Sequence, residues 1–197
     1  MSARSVSLAR AAQFAIFVSL AVAAATPARA FFLFDIFQGG PGAREGRPMA
    51  APIPREVVAY GGHEAPGTIV VSTRERRLYY VLGDGEALRY GVGVGRPGFE
   101  WGGVHRVTSK REWPHWTPPS QMIRRRPDLP RHMEGGIENP LGARAIYIGG
   151  TLYRIHGSNE PDTIGQAVSS GCIRMTNNDV IDLYDRVHVG AKVVVMR

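Results

Sequence analysis

Cys172 and His156 are the residues of this chain whose types and spacing could do covalent chemistry. Cys172 is the single cysteine, and His156 precedes it by 16 positions within YRIHGSNEPDTIGQAVSSGCIRM. A thiol attacks as its thiolate, and a free cysteine titrates near pH 8.5. A neighbouring imidazole can take that proton and later return it to a leaving amine, which is the logic of acyl transfer. Gly171 before the nucleophile permits a tight, exposed turn. Backbone N–H groups around Gly171 and Cys172 are placed to hold a developing oxyanion. A redox role would call for a second, resolving thiol, and the chain has one cysteine. His63, His105, His115, His132 and His188 show no metal-ligand spacing in the sequence, so no metal is expected.

The elements that must carry this pair read as mostly β. TIVVST (68–73), RLYYVL (77–82) and ALRYGVGVG (87–95) are closely spaced β-rich runs with polar turns, an antiparallel meander. Gly91-x-Gly93-x-Gly95 lacks the helix and downstream acid of a nucleotide loop. WPHWTPP (113–119) cannot be regular structure, and a short helix is expected over 119–126. ARAIYI (143–148) and TLYRIH (151–156) flank Gly149-Gly150, a hairpin signal that delivers His156 at the end of its second strand. SSGCIRM is a turn with a short extension. Asn177 or Asn178 is expected to cap a helix over 179–187, and KVVVM (192–196) to close the chain as a strand. Trp113 and Trp116 suit a substrate groove or the core equally.

Residues 1–30 read as a signal peptide: Arg4 and Arg10, an uncharged run, then Ala28-Arg29-Ala30. A retained anchor is the alternative. The expected organisation is 1–30 signal, 31–67 Gly/Pro-rich linker and 68–197 catalytic domain. Loss of Arg4, Arg10 and Arg29 takes the formal net charge from +7 to +4, a balance suited to an anionic envelope polymer. Export argues against nucleic acid as a partner. A lone cysteine in an exported chain is an intermolecular partner or a working thiol.

The segment resembles the signature of the YkuD-type, ErfK/YbiS-like L,D-transpeptidase catalytic domain. The matches are His156-Gly157 and Ser169-Ser170-Gly171-Cys172-Ile173-Arg174, supported by VSTRERRLYYV, YGVGVGRPG, Pro114-x-Trp116-x-Pro118-Pro119 and Asn139-Pro140-Leu141-Gly142. The resemblance covers 68–197. It implies a compact β-sandwich-like domain with one or two short helices. It implies Cys172 as acylated nucleophile, His156 as base, the Gly157 carbonyl orienting the imidazole, and an oxyanion hole at Gly171 and Cys172. Arg174, which could equally be a structural ion pair, is a candidate for a substrate carboxylate. Ser158, Ser169, Ser170, Tyr147 and Trp116 complete the substrate-binding candidates. The implied substrate is a peptidoglycan stem tetrapeptide, losing its terminal D-Ala. The acyl acceptor would be an amine of another stem, an envelope protein, or water, which would make a carboxypeptidase. A non-catalytic wall-binding module is the reading from a different class. Carbapenem-type β-lactams are implied inhibitors. Ser158 where Thr is common, Trp101-Gly102-Gly103-Val104-His105 in place of Thr-Pro-x-Gly, and Asp162 in place of an aromatic are departures that bear on substrate fit.

Overall fold

A computed structural model describes residues 53–197. The expected signal peptide, and the linker up to residue 52, lie outside the described residues. Among those described, no helix is long and apolar enough to cross a membrane.

The expected meander forms as β2 (Ile69–Ser72), β3 (Arg77–Gly83) and β4 (Glu86–Gly91), paired antiparallel in that order. β2 is buried along its whole length. Its unbroken β-branched run fits a strand covered on both faces. β11 (Lys192–Met196) lies parallel to β2 and antiparallel to β6 (Gly103–Glu112). β6 joins the two halves of the fold. Its residues 103–106 pair with β11, and its residues 107–112 pair with β7 (Arg144–Ile148). A register shift between Val107 and Ser109 marks the passage from one half to the other. A strand that bulges and changes sheets is how sandwich corners are made.

The second half holds the motif. β7 and β8 (Arg154–His156) form the expected hairpin, with Ile146 opposite Ile155 and Ala145 opposite His156. β10 (Ile173–Arg174) adds to β8 in parallel. A small separate pair, β5 (Val94–Gly95) with β9 (Ala167–Ser169), ties the segment before Cys172 to the meander. α1 (Ser120–Arg125) matches the short helix expected there. The architecture is mostly strand with two short α-helices, as the sequence suggests.

α2 (Asn177–Arg186) lies against β7 and β8. Val180 and Leu183 are fully buried and Val187 nearly so, which is one stripe of the helix facing the core. The cap is Thr176, not Asn177 or Asn178: its hydroxyl accepts from the Asp179 N–H at 3.1 Å. Asn177 is drawn away to accept from the Ala143 N–H at 2.9 Å.

Two further elements differ from the sequence reading. β1 (Glu56–Ala59) stands within the span expected to be linker, paired antiparallel with β4. It is an edge strand with three of its four residues exposed, so it carries no alternating apolar pattern. β6 is the longest strand, yet only Val107 of its ten residues is buried. Backbone pairing on both sides, not side-chain burial, makes it a strand.

Candidate active site

The parallel pairing of β8 and β10 sets the site. Ile173 stands beside Ile155, and Arg174 beside His156. Both isoleucines are fully buried in the core. Side chains alternate along a strand, so Arg154 and His156 share the opposite face, with Arg174 and Cys172 beside them. Cys172 immediately precedes β10, so the β8–β10 pairing brings it to the same end of the sheet as Arg154 and His156. Both guanidinium groups, of Arg154 and Arg174, act electrostatically on Cys172 and on His156.

His156 is buried, and its Nδ1 lies 2.6 Å from the Gly157 carbonyl oxygen. A carbonyl can only accept, so Nδ1 carries the proton and Nε2 offers its lone pair. Burial pushes the imidazole down to about 3, partly offset by that hydrogen bond. Gly157 has no room for a side chain: Asn177 Oδ1 would stand 2.2 Å from a Cβ there.

Cys172 is half-buried. Burial raises its thiol above the ordinary range, opposed by the Arg154 guanidinium, the Arg154 backbone N–H and Arg174. Both shifts favour the uncharged forms, a thiol and a neutral imidazole.

The Gly171-Cys172 turn is braced from several sides. Ser169 Oγ donates to the Cys172 carbonyl at 2.7 Å and accepts from the Gly171 N–H at 3.0 Å. That bond occupies the Gly171 N–H, one of the two donors the sequence suggested for an oxyanion hole. Arg96 donates to Ser170 Oγ at 3.3 Å. Trp101 donates its indole N–H to the Gly171 carbonyl at 2.6 Å and stacks on Tyr153 with ring centroids 4.6 Å apart. Gly171 has φ +108°, and the Tyr153 ring would lie 2.3 Å from any Cβ placed on it.

The other expected residues fall as follows. Arg174 is ion-paired with Glu160 at 3.0 Å. Ser158 is buried, and its hydroxyl accepts from the Glu160 N–H at 2.9 Å, bracing the loop after His156. Tyr147 pairs across the hairpin with Arg154, whose guanidinium sits 5.4 Å from its ring centroid. Trp116 is buried and held by paired backbone bonds to Met133, whereas Trp113 is exposed.

Trp101, Tyr153, Arg96, Arg154 and Asn177 are site-forming residues that spacing did not reveal. Arg154 and Tyr153 were legible only as neighbours of His156. The fold also gathers His115, His132 and Glu134, whose ligand atoms lie within 4.8 Å of one another. These exposed side chains flank the Trp116–Met133 bridge. The two histidines are 17 positions apart, so spacing alone hides the grouping. The Glu134 carboxylate already bonds both imidazoles, at 2.6 and 3.2 Å, which accounts for the grouping without an ion.

The model of the YkuD family, described as the L,D-transpeptidase catalytic domain, matches residues 66–195. The chain belongs to the YkuD family. "Probable L,D-transpeptidase ErfK/SrfK" of Escherichia coli (strain K12) is 41% identical over 137 residues, 65% of this chain and 43% of that one. "Probable L,D-transpeptidase YbiS" of the same strain is 37% identical over 134 residues, 64% of this chain and 43% of that one. The match thus spans less than half the length of these YkuD relatives. Among solved structures, a "Probable carnitine operon oxidoreductase caia from Brucella melitensis" is 44% identical, covering 75% of this chain and 96% of that one, with TM-score 0.51. That name stands apart from the others; the match over residues 66–195 decides the family. The catalytic domain of the E. faecium L,D-transpeptidase is 23% identical, covering 68% of this chain and all of that one, with TM-score 0.53. L,D-transpeptidase 3 from Mycobacterium tuberculosis, solved with a faropenem-derived adduct, is 19% identical, covering 66% of this chain and 60% of that one, with TM-score 0.51. These last two likenesses concern the fold.

Proposed function

We infer that this YkuD-family chain is a cysteine-dependent L,D-transpeptidase acting on peptidoglycan stem tetrapeptides in the cell envelope, exported by residues 1–30. One observation carries the chemistry: His156, its Nδ1 tied to the Gly157 carbonyl, stands on the strand paired with the one that directly follows Cys172.

In the proposed reaction, His156 Nε2 takes the Cys172 proton as Sγ attacks the carbonyl of the third stem residue. The Cys172 N–H faces the developing oxyanion. Collapse breaks the amide bond, the imidazolium gives its proton to the leaving amine, and terminal D-Ala departs. A thioester remains on Cys172. The amine of a second stem, or of an envelope protein, then attacks the thioester and gives its proton to His156, and the thiol is released. An imidazole whose Nε2 is unprotonated can accept the thiol proton and return it to the leaving amine. The process uses no metal or organic cofactor.

Carbapenem-type β-lactams imitate the stem carbonyl and should acylate the same sulfur. The faropenem-derived adduct on the M. tuberculosis relative makes this class of probe a sound choice. Mass spectrometry of the pure protein after carbapenem treatment should show one acyl group on the peptide containing SSGCIRM. Incubation with purified wall fragments should yield products lacking D-Ala, and Cys172→Ala should abolish both results while remaining folded. A folded Cys172→Ala protein that still forms cross-links would overturn the reading, as would an acyl group on any other residue.

A further inference from the structure

Four functional side chains line one face of the β8–β10 pair, and two of them are arginines. Their surroundings differ. Arg174 is ion-paired with Glu160 at 3.0 Å. Arg154 stands on β8 next to Cys172, two residues before His156 and on the same side of the strand. Among the described residues, no carboxylate is ion-paired with it, and its Nε is buried without a hydrogen-bond partner. Its guanidinium is held 5.4 Å from the Tyr147 ring centroid. An aromatic ring favours a cation but leaves its N–H donors unused. A buried donor left unpaired is costly. A guanidinium in this condition beside a nucleophile is built for an acceptor that arrives with the substrate.

We propose that Arg154, and not Arg174, is the carboxylate receptor of this site, binding the free C-terminal carboxylate of the residue that leaves when Cys172 is acylated. This rests on the acyl-transfer reading above. The geometry suits it. A leaving residue carries its carboxylate two bonds beyond the departing nitrogen, so the carboxylate lies a few ångströms from the carbonyl under attack. Arg154 acts on the Cys172 thiol through both its guanidinium charge and its backbone N–H, which puts it beside the nucleophile. A planar guanidinium matches a carboxylate with two parallel N–H bonds. The site would then read the end of a chain: a free terminal carboxylate is accepted and an extended or amidated terminus is not. Arg174, neutralised by Glu160, braces the loop that follows His156.

The test uses two donor peptides that differ only in a C-terminal carboxylate or carboxamide. Turnover is measured on the wild type, Arg154→Gln and Arg154→Lys. Equilibrium binding of both peptides is measured in the Cys172→Ala background with and without Arg154→Gln. Wild type should favour the carboxylate donor at least tenfold, mainly through KM. Arg154→Gln should lose at least tenfold more on the carboxylate donor than on the amide donor, and Arg154→Lys should restore part of that difference. The same preference should appear in binding to Cys172→Ala and vanish when Arg154→Gln is added. Equal losses on both donors would make Arg154 a general electrostatic or structural residue and overturn the proposal. So would equal binding of the two peptides to Cys172→Ala. A binding preference that depends on Arg154, without turnover of either donor by wild type, would uphold the receptor and overturn the transpeptidase reading instead.

Discussion

Trp101 donates its indole N–H to the carbonyl oxygen of Gly171 at 2.6 Å, across 70 residues of sequence and inside the protein. The same indole stacks on Tyr153, whose ring closes the space over the Gly171 Cα. The turn that presents Cys172 is thus positioned from the segment before β6, outside the motif that contains it.

Trp101→Phe keeps an aromatic ring and removes the donor. The Gly171 carbonyl would be left buried without its partner, at a cost of about 1–3 kcal/mol. Thermal unfolding should show that loss, and acylation of Cys172 should slow. An unchanged melting temperature and acylation rate would show that the bond does not position the turn.

Gly171→Ala should be more severe. The φ of +108° is strained for any residue with a Cβ, and the new methyl would meet the Tyr153 ring. The backbone term alone is about 1–3 kcal/mol. Unfolding and carbapenem labelling measured on one sample should both be impaired. Pairing Gly171→Ala with Tyr153→Ala should recover part of the stability, because only the clash is relieved.

His156→Gln preserves hydrogen bonding but cannot accept the thiol proton. Turnover should fall by about 10²–10⁴-fold. Near-normal turnover would place the base elsewhere.

The same histidine makes a stability prediction with a definite sign. The unfolded chain protonates this imidazole near pH 6.5, and the folded protein holds it neutral down to about 3. Protons therefore favour the unfolded state between those values. Stability should rise with pH across that window, by up to about 1.4 kcal/mol per unit from this group, and this contribution should be flat above it. Denaturant unfolding from pH 4 to 7 should show a shallower slope for His156→Gln than for wild type. Equal slopes would mean that His156 takes up protons alike in the folded and unfolded chains.

The neutral resting pair also predicts slow alkylation. Burial raises the Cys172 thiol, so iodoacetamide should react more slowly at pH 7 than with a free cysteine, its rate climbing through and above pH 9. Acylation by carbapenem should still proceed at pH 7, because His156 removes the proton during attack. A fast, pH-independent alkylation from pH 5 upward would reveal a preformed thiolate–imidazolium pair.

The sequence by itself determined the family and most of the strands, and it marked Cys172 and His156 as the candidate pair. These are local properties: Cys172 is the single thiol, Gly171 and Gly157 flank the reactive residues, and β-branched runs such as IVV and VVV reach the core whatever their neighbours. The Gly149-Gly150 turn specified the hairpin, because a turn sets the pairing of the strands it joins. Other features needed the tertiary structure. β1 and β6 are strands by backbone pairing and expose most of their side chains, so no apolar period marked them. Spacing could not tell Arg154 from Arg174. They are the same residue type near the same motif, and only the fold brings Glu160 to one of them. The Gly171 N–H looked free for an oxyanion until folding turned Ser169 Oγ onto it. Thr176 displaced Asn177 as the cap because Asn177 is held by Ala143, 34 residues away. In each case the deciding partner is distant along the chain and close in space, and a hydrogen bond or ion pair forms only where the folded backbone delivers both ends.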